Sequence, residues 1–324
     1  MTRHTAKLIL ILLALALAGP ARAANTPLTV VIFSAPSLGA FLPQVIKQKQ
    51  FDQANGLDIS FPERTPDAYA AQFNSGDFDL GGSAAVLTVG LADNRGVKVS
   101  YLFNLFDYWG AVVTQRPEIK TLADLKGKQL AAAAGTTNYA MYQFFARRSG
   151  LDTTSVSVIN TATPGLVGYA LADRADAVQI WEPAYSLLLA KKPDIRTLDL
   201  DIAGQWKAFG GGAHIPYLGV AAHTDWAEKH PAETLALYKT YAAAAQWVAS
   251  NPGPAAAIIA GTQASDADRA AIEALIRDNR RLGMDVTPAA KLKSDILAVY
   301  RAGKSVGQLD ADPTPATIYA KDMQ

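Results

Sequence analysis

Lys128–Gly150 reads KQLAAAAGTTNYAMYQFFARRSG, and the fold turns on this stretch. A short strand, Lys128–Ala133, leads to Gly135. A helical stretch then runs from Asn138 to Arg148, with Arg147 and Arg148 in its last turn and Gly150 just past its end. A strand that passes through a glycine turn into a helix is half of a βαβ unit, whose sheet is parallel and covered by helices. The N–H groups at the helix start and the hydroxyls of Thr136 and Thr137 can hold a carboxylate, sulfonate or nitrate oxygen. The alternative use of the same threonines is to cap the helix and nothing more.

The same grammar extends in both directions. Upstream, Leu28–Phe33, Leu57–Phe61, Phe78–Leu80 and Val97–Phe103 read as strands, separated by helical stretches at Leu38–Phe51, Asp67–Asn74 and Ala84–Asp93. Ala111–Thr114 reads as a further strand. Thr121-Leu-Ala-Asp-Leu reads as a one-turn helix capped by Thr121 and stopped at Gly127. Downstream come strands at Val156–Ile159 and Ala177–Ile180, with Thr163-Pro164 between them as N-cap and first residue of a helix. After a strand at Tyr217–Ala222, the stretches Pro231–Ser250, Ser265–Leu282 and Pro288–Ala302 look helical and have no sheet of their own. They are expected to return and cover the first domain, so that the chain crosses between domains near Ala111–Thr114 and again near Tyr217–Ala222.

Length and composition fit this plan. The 324 residues are enough for about two domains. Half the residues are hydrophobic and the formal net charge is +1, which is too apolar for disorder and too balanced for a basic nucleic-acid binder. Without cysteine there are no disulfides, thiolate metal sites or Cys nucleophile. Residues 1–23 read as a cleavable export signal: basic Arg3, His4 and Lys7, an apolar run Leu8–Ala18, a Gly19-Pro20 break, and Ala21-Arg22-Ala23 before the cut. Eleven apolar residues are too few to cross a bilayer. Cleavage after Ala23 leaves 27 basic against 29 acidic residues. A new N-terminus lacking Cys leaves no lipid anchor, so the expectation is a free periplasmic protein.

The common catalytic patterns are missing. His223, Asp225, Glu228 and His230 offer metal-binding residue types at no zincin spacing. Gly81-Gly82-Ser83-Ala84-Ala85 lacks the final Gly of a nucleophile elbow, and Gly303-Lys304-Ser305 follows a helix and lacks the first Gly of a P-loop. No catalytic residue, metal or cofactor is assigned. What the sequence offers instead is a set of loops at strand ends, where open α/β sheets bind ligands: Ser34–Leu38, Gly82-Ser83, Asn104–Trp109, Gly135–Tyr139 and Gln179–Pro183.

With these residues in hand, the chain resembles periplasmic substrate-binding proteins of the nitrate/sulfonate/taurine ABC transporter family, the SsuA/THI5-like group with an NMT1-like domain. Four stretches carry the resemblance: Asn74–Gly82 (NSGDFDLGG), Ile119–Leu130 (IKTLADLKGKQL), Gly135-Thr-Thr, and Asp176–Pro183 (DAVQIWEP). It spans roughly residues 27 to 250. It implies a type II periplasmic binding protein, with two α/β lobes joined by two crossover strands and the ligand cleft between them. Lobe I would comprise 24–112 plus 218–324, and lobe II 113–217. The family logic is hinge closure on a small solute, then docking on a membrane permease with its ATPase. Carried over by position, the contacts would be Ser37, Gly82 and Ser83 from lobe I and Thr136, Thr137, Trp181 and Glu182 from lobe II. Gly135 joins them in the anion loop, and Tyr108 and Tyr139 beside it form an aromatic wall.

The ligand is read from the residues in these loops. They contain no Arg or Lys, which disfavours a dianionic phosphate. Arg64, after the second strand, is the nearest basic residue. The aromatics argue for more than bare nitrate, and Glu182 can either accept from an amine or bond a neighbouring helix. A small organic monoanion, an alkyl or aryl sulfonate or a taurine-like solute, is therefore expected. The alternatives are a thiamine-precursor pyrimidine stacked on Trp181 or Tyr139, and a ligand-loaded sensor for a receptor. A THI5-type enzyme is disfavoured by the export signal and the lack of Cys. The protein is expected to be monomeric.

Overall fold

The structure, a computed structural model, describes residues 24–323, so the export signal lies outside the described residues. Twelve strands fall into two sheets. The larger has seven strands. Six run in the order β2 (Leu57–Ser60), β1 (Thr26–Phe33), β4 (Leu80–Ala85), β11 (Pro216–His223), β5 (Val99–Asp107) and β12 (Met284–Pro288), and β3 (Glu63–Arg64) also pairs β1. The smaller has five: β10 (Arg196–Leu198), β6 (Ala111–Thr114), β9 (Ala177–Ile180), β7 (Gln129–Ala132) and β8 (Ser157–Asn160). The chain leaves the larger sheet between β5 and β6 and returns between β10 and β11.

The sheets are mixed rather than purely parallel. β1 runs parallel to β2 and β4, and β7 runs parallel to β8 and β9. The strand that opens the smaller sheet and the strand that re-enters the larger one run against their neighbours: β6 is antiparallel to β9, and β11 to both β4 and β5. The reason is geometric, because a chain that crosses to a second sheet and comes back must re-enter in the opposite direction.

Burial follows the strand period. Val112, Leu130, Ala132 and Ala177 join the large core, while Ala111, Val113, Ala131, Val178 and Ile180 join a smaller core on the opposite face of the same sheet. Both faces are covered, which is why these strands read as continuous apolar runs.

The covering helices before the first crossing are α1 (Phe41–Lys49), α2 (Phe51–Ala54), α3 (Pro66–Ser75) and α4 (Val86–Asn94). Between the crossings lie α5 (Thr137–Arg148), α6 (Thr163–Leu171), α7 (Ala184–Lys191) and α8 (Ile202–Phe209). After the return come α9 (Thr224–Lys229), α10 (Pro231–Ser250), α11 (Pro252–Ala260), α12 (Asp266–Arg277), α13 (Asn279–Leu282) and α14 (Lys293–Ser305). The C-terminal helices do return: α10 and α11 pack on α1, and α14 packs on α4. They also bring one strand, β12, that the helical reading of this region omits. Two further contacts cross between the covers of the two sheets, α12 on α7 and α14 on α5.

Local signals explain several ends. Asp124 accepts from the N–H and hydroxyl of Thr121, closing the one-turn helix there. In α6 the N-cap is Ala162 rather than Thr163, which shifts Pro164 one position into the first turn, where its missing N–H is still harmless.

Candidate functional site

Strand β7 ends at Ala132, and the chain reaches the start of α5 through Gly135. A Cβ added at Gly135 would meet nothing within 4 Å, and the residue is exposed. Thr136 is the N-cap. Its hydroxyl donates to Ala133 O at 2.8 Å and accepts from Tyr139 N at 3.2 Å, so it is committed in both directions. Thr137 is buried, with Oγ1 3.4 Å from Thr88 Oγ1 on α4. That contact joins the starts of two helices that cover different sheets. The N–H groups of Thr137 and Asn138 have no acceptor among the described residues, as expected for the first turn of a helix.

Asn138 donates to Tyr217 Oη at 2.6 Å, and its carbonyl accepts from Gln179 Nε2 at 3.5 Å. Tyr217 opens β11, so this short network ties the returning strand to α5 and β9. Tyr108, on the outgoing crossing, stacks on Phe145 at 5.7 Å and meets Tyr217 edge-on at 6.0 Å. Burial raises its phenol well above the ordinary range and keeps the hydroxyl protonated. Tyr139 is half-buried, its ring 5.8 Å from that of Tyr142.

The residues expected from the larger sheet sit deeper. Ser37 is half-buried and donates to Phe33 O at 3.5 Å. Ser83 is fully buried, and its hydroxyl accepts from Phe33 N at 2.9 Å. Gly82 faces the core, where an added Cβ would lie 2.9 Å from both Tyr241 Oη and Val30 Cγ1. Glycine is needed there because two other elements pack directly onto the strand.

At the end of β9, Trp181 is buried in the smaller core. Glu182 is 1% exposed, and both its oxygens are occupied: Oε2 accepts from Ser186 N at 3.1 Å, and Oε1 from the Ser186 hydroxyl at 3.0 Å. Arg281 Nε lies 3.3 Å from Oε1. Burial raises the Glu182 pKa, opposed by the Ser186 hydroxyl and the Arg281 charge. The Arg281 guanidinium also lies over the rings of Tyr185, at 5.4 Å, and Trp109, at 5.9 Å. No basic residue lies in the strand-end loops, but the fold delivers one from α13. Arg64, by contrast, bonds Gln72 and Glu63 O beside Phe78.

A cavity of about 990 Å³ lies along the two crossings. Its walls come from Asp107–Ala111, Thr197–Ala203, Gly212–Ile215 and the α13–β12 junction, and of the expected site residues it reaches only Tyr108. Inside it, His214 Nδ1 lies 2.9 Å from Asp107 Oδ2 and 3.4 Å from Asp285 Oδ2. Burial pushes the Asp107 pKa up to about 6 against the opposing bond from His214. For His214, burial works downward but is outweighed by the hydrogen bond and charge of Asp107, then by Asp285 and Asp295, so its pKa rises. His223 and His230 turn to separate partners, Phe73 O and the Trp226 ring. Among the described residues no group of three or more His, Cys, Asp or Glu side chains is arranged to hold a metal ion, and no helix there is long and apolar enough to cross a membrane.

The sequence names Gln179 only as the first residue of a strand-end loop and not as a contact, and it does not point to Arg281 or the His214 cluster. Gln179 carried a signal: it is the one polar side chain in the apolar strand Ala177–Ile180. Arg281 carried none, since its partner Glu182 is far away in sequence.

Comparison with known proteins agrees with this architecture. The family described as NMT1/THI5 like matches residues 45–255. No curated protein sequence matches the chain. Among solved structures, the periplasmic aliphatic sulphonate binding protein SsuA from Escherichia coli shares 20% identity at a TM-score of 0.67, covering 86% of this chain and 91% of its own. The alkanesulfonate-binding protein SsuA from Xanthomonas axonopodis pv. citri, bound to MOPS, shares 18% at 0.72, covering 91% and 98%. The periplasmic nitrate-binding protein NrtA from Synechocystis PCC 6803 shares 14% at 0.65, covering 90% and 83%. These likenesses establish the periplasmic binding protein fold.

Proposed function

The chain belongs to the NMT1/THI5-like family, and on that premise we propose that it is the periplasmic solute-binding component of an ABC importer. It captures a small organic anion, of the alkyl or aryl sulfonate or taurine-like class, by hinge closure and hands it to the permease and its ATPase. Lobe I is taken as 24–112 plus 218–324 and lobe II as 113–217. Sheet membership supports this division to within two residues, since the chain changes sheet once after β5 and once before β11; Ala111 and Val112 lie in the smaller sheet, and Pro216 and Tyr217 in the larger. Binding rather than catalysis, export to the periplasm and release after Ala23 belong to the same reading.

The observation that carries it is the start of α5. An exposed glycine leads into a twelve-residue helix whose first N–H groups have no partner, beside side chains from both sheets. Such a terminus attracts an anionic oxygen through its N–H groups and its dipole. A ligand that touches both lobes favours the closed arrangement by its differential contacts. The sulfonate and nitrate ligands in the names of the solved relatives point to the same chemistry.

The half-buried ring of Tyr139 beside Gly135 supports a second reading, a pyrimidine or other small aromatic solute stacked there. Thermal unfolding of the purified protein against sulfonates, taurine, nitrate, aromatic carboxylates and aminopyrimidines tests both. A solute at 1,000 times its Kd stabilises by about 4 kcal/mol, or roughly 8–16 °C. A shift with pyrimidines alone would overturn the organic-anion reading.

A further inference from the structure

Eleven buried side-chain atoms lack a hydrogen-bond partner among the described residues, and four of them share one neighbourhood: Tyr108 Oη, Asn138 Oδ1, Tyr142 Oη and Gln179 Oε1. Their residues are 4%, 2%, 1% and 0% exposed. The Asn138–Tyr217 bond, the Gln179 contact to Asn138 O and the edge-on Tyr108–Tyr217 rings connect them, and Tyr142 follows Asn138 by one turn of α5. Buried polar atoms are rarely left unpaired, so such a group in one place points to a partner from outside the chain.

The chemistry of that partner follows from the atoms. The Gln179 nitrogen donates to a backbone carbonyl, which can only accept, and this fixes the orientation of the amide. Gln179 Oε1 is therefore an acceptor that needs a donor. A few atoms away, the N–H groups of Thr137 and Asn138 are donors that need an acceptor. A bare alkylsulfonate or nitrate would satisfy the helix start but would leave Gln179 unpaired or facing another oxygen. Glu182, the other acceptor near the strand ends, is fully occupied by Ser186 and Arg281.

We infer that the solute carries an N–H or O–H donor close to its anionic group, and that Gln179, with Asn138 beside it, selects for that donor while the start of α5 holds the anion. This rests on the solute-binding reading above and narrows it to amino- or hydroxy-substituted anions. Sites built around a hydrogen bond reject analogues that lack it far more strongly than apolar pockets reject a missing methylene.

The test uses matched pairs measured by calorimetry: taurine against propanesulfonate, 4-aminobenzenesulfonate against 4-methylbenzenesulfonate, and 4-amino-2-methylpyrimidine against 2,4-dimethylpyrimidine. In the wild type, the donor-bearing member of the preferred pair binds at least about tenfold tighter. Gln179→Leu brings that ratio to within about twofold, and Gln179→Glu, which keeps an acceptor, retains the preference. Equal affinities within every pair, or a preference that survives Gln179→Leu, would overturn the inference. If only the pyrimidine pair binds and discriminates, the organic-anion reading falls while the role of Gln179 stands. A ligand-free arm runs alongside. Gln179→Leu is expected to unfold within about 3 °C of the wild type or above it, because an unpartnered acceptor is replaced by an apolar group of similar size. A drop larger than the loss of the one long Nε2 contact to Asn138 O can explain, above about 6 °C, would show that Oε1 is already satisfied inside the protein, which also overturns the proposal.

Discussion

Two helices leave the ends of adjacent strands of the smaller sheet, and their beginnings are used in opposite ways. At the start of α7 every oxygen of Glu182 is taken, by Ser186 within the helix and by Arg281 from far along the chain. At the start of α5 the N–H groups, Asn138 Oδ1 and Gln179 Oε1 are left over. One strand–turn–helix junction is a joint, and the other is the receptor in the proposed function. Local sequence, which is similar in grammar at both, does not decide between them. What decides is whether a remote residue arrives to consume the polar groups.

Breaking the joint should have the largest effect. Arg281→Met leaves a buried carboxylate without its cation, and because Arg281 is itself partly exposed the loss is about 2–3 kcal/mol, read as a fall of roughly 4–12 °C in Tm. The deficit should be smaller at pH 5 than at pH 8, since protonation of Glu182 removes the unpaired charge. A pH-independent loss would mean that Arg281 acts by packing alone. Next, Gly82→Ala forces a methyl against Tyr241 and Val30 and should cost about 1–3 kcal/mol in stability. Solute affinity that vanished while Tm held would instead move Gly82 to the ligand's side. Thr136→Ala removes the α5 cap for about 1 kcal/mol, a shift of roughly 2–4 °C seen in thermal unfolding.

The smallest effect belongs to the crossings. Asp107, with its pKa pushed up to about 6, and His214, also raised, both bind protons more tightly in the folded protein than in the unfolded chain. Their contribution is therefore present at low pH and lost as pH rises through about 6 and then through the folded His214 value. Tm should decline between pH 5 and pH 8 by an amount worth under about 1 kcal/mol for this half-exposed His214 pair. His214→Gln should flatten that part of the slope, and an unchanged slope would remove His214 from the account.

The strands of the smaller sheet are legible in the sequence because both its faces are covered, so Leu130–Ala133 and, apart from Gln179, Ala177–Ile180 read as apolar runs. Thr121 and Thr136 are legible as caps, because capping is a local bond. β12 was hidden: all its residues but Pro288 are only half-buried, and it becomes a strand by lying on the edge of β5, far away in sequence. The Glu182–Arg281 pair was hidden for the same reason. Gln179 could have been singled out as a polar residue inside a buried strand, whereas Asn138 read as one more residue of a helix start.

Capture of the solute between two sheets that the chain crosses twice is the central claim, and small-angle scattering of the purified protein with and without saturating taurine or 4-aminobenzenesulfonate tests it most directly. Closure predicts a smaller radius of gyration in the presence of the bound solute, whichever of the two binds. A solute that binds by calorimetry yet leaves the scattering curve unchanged would contradict capture by closure.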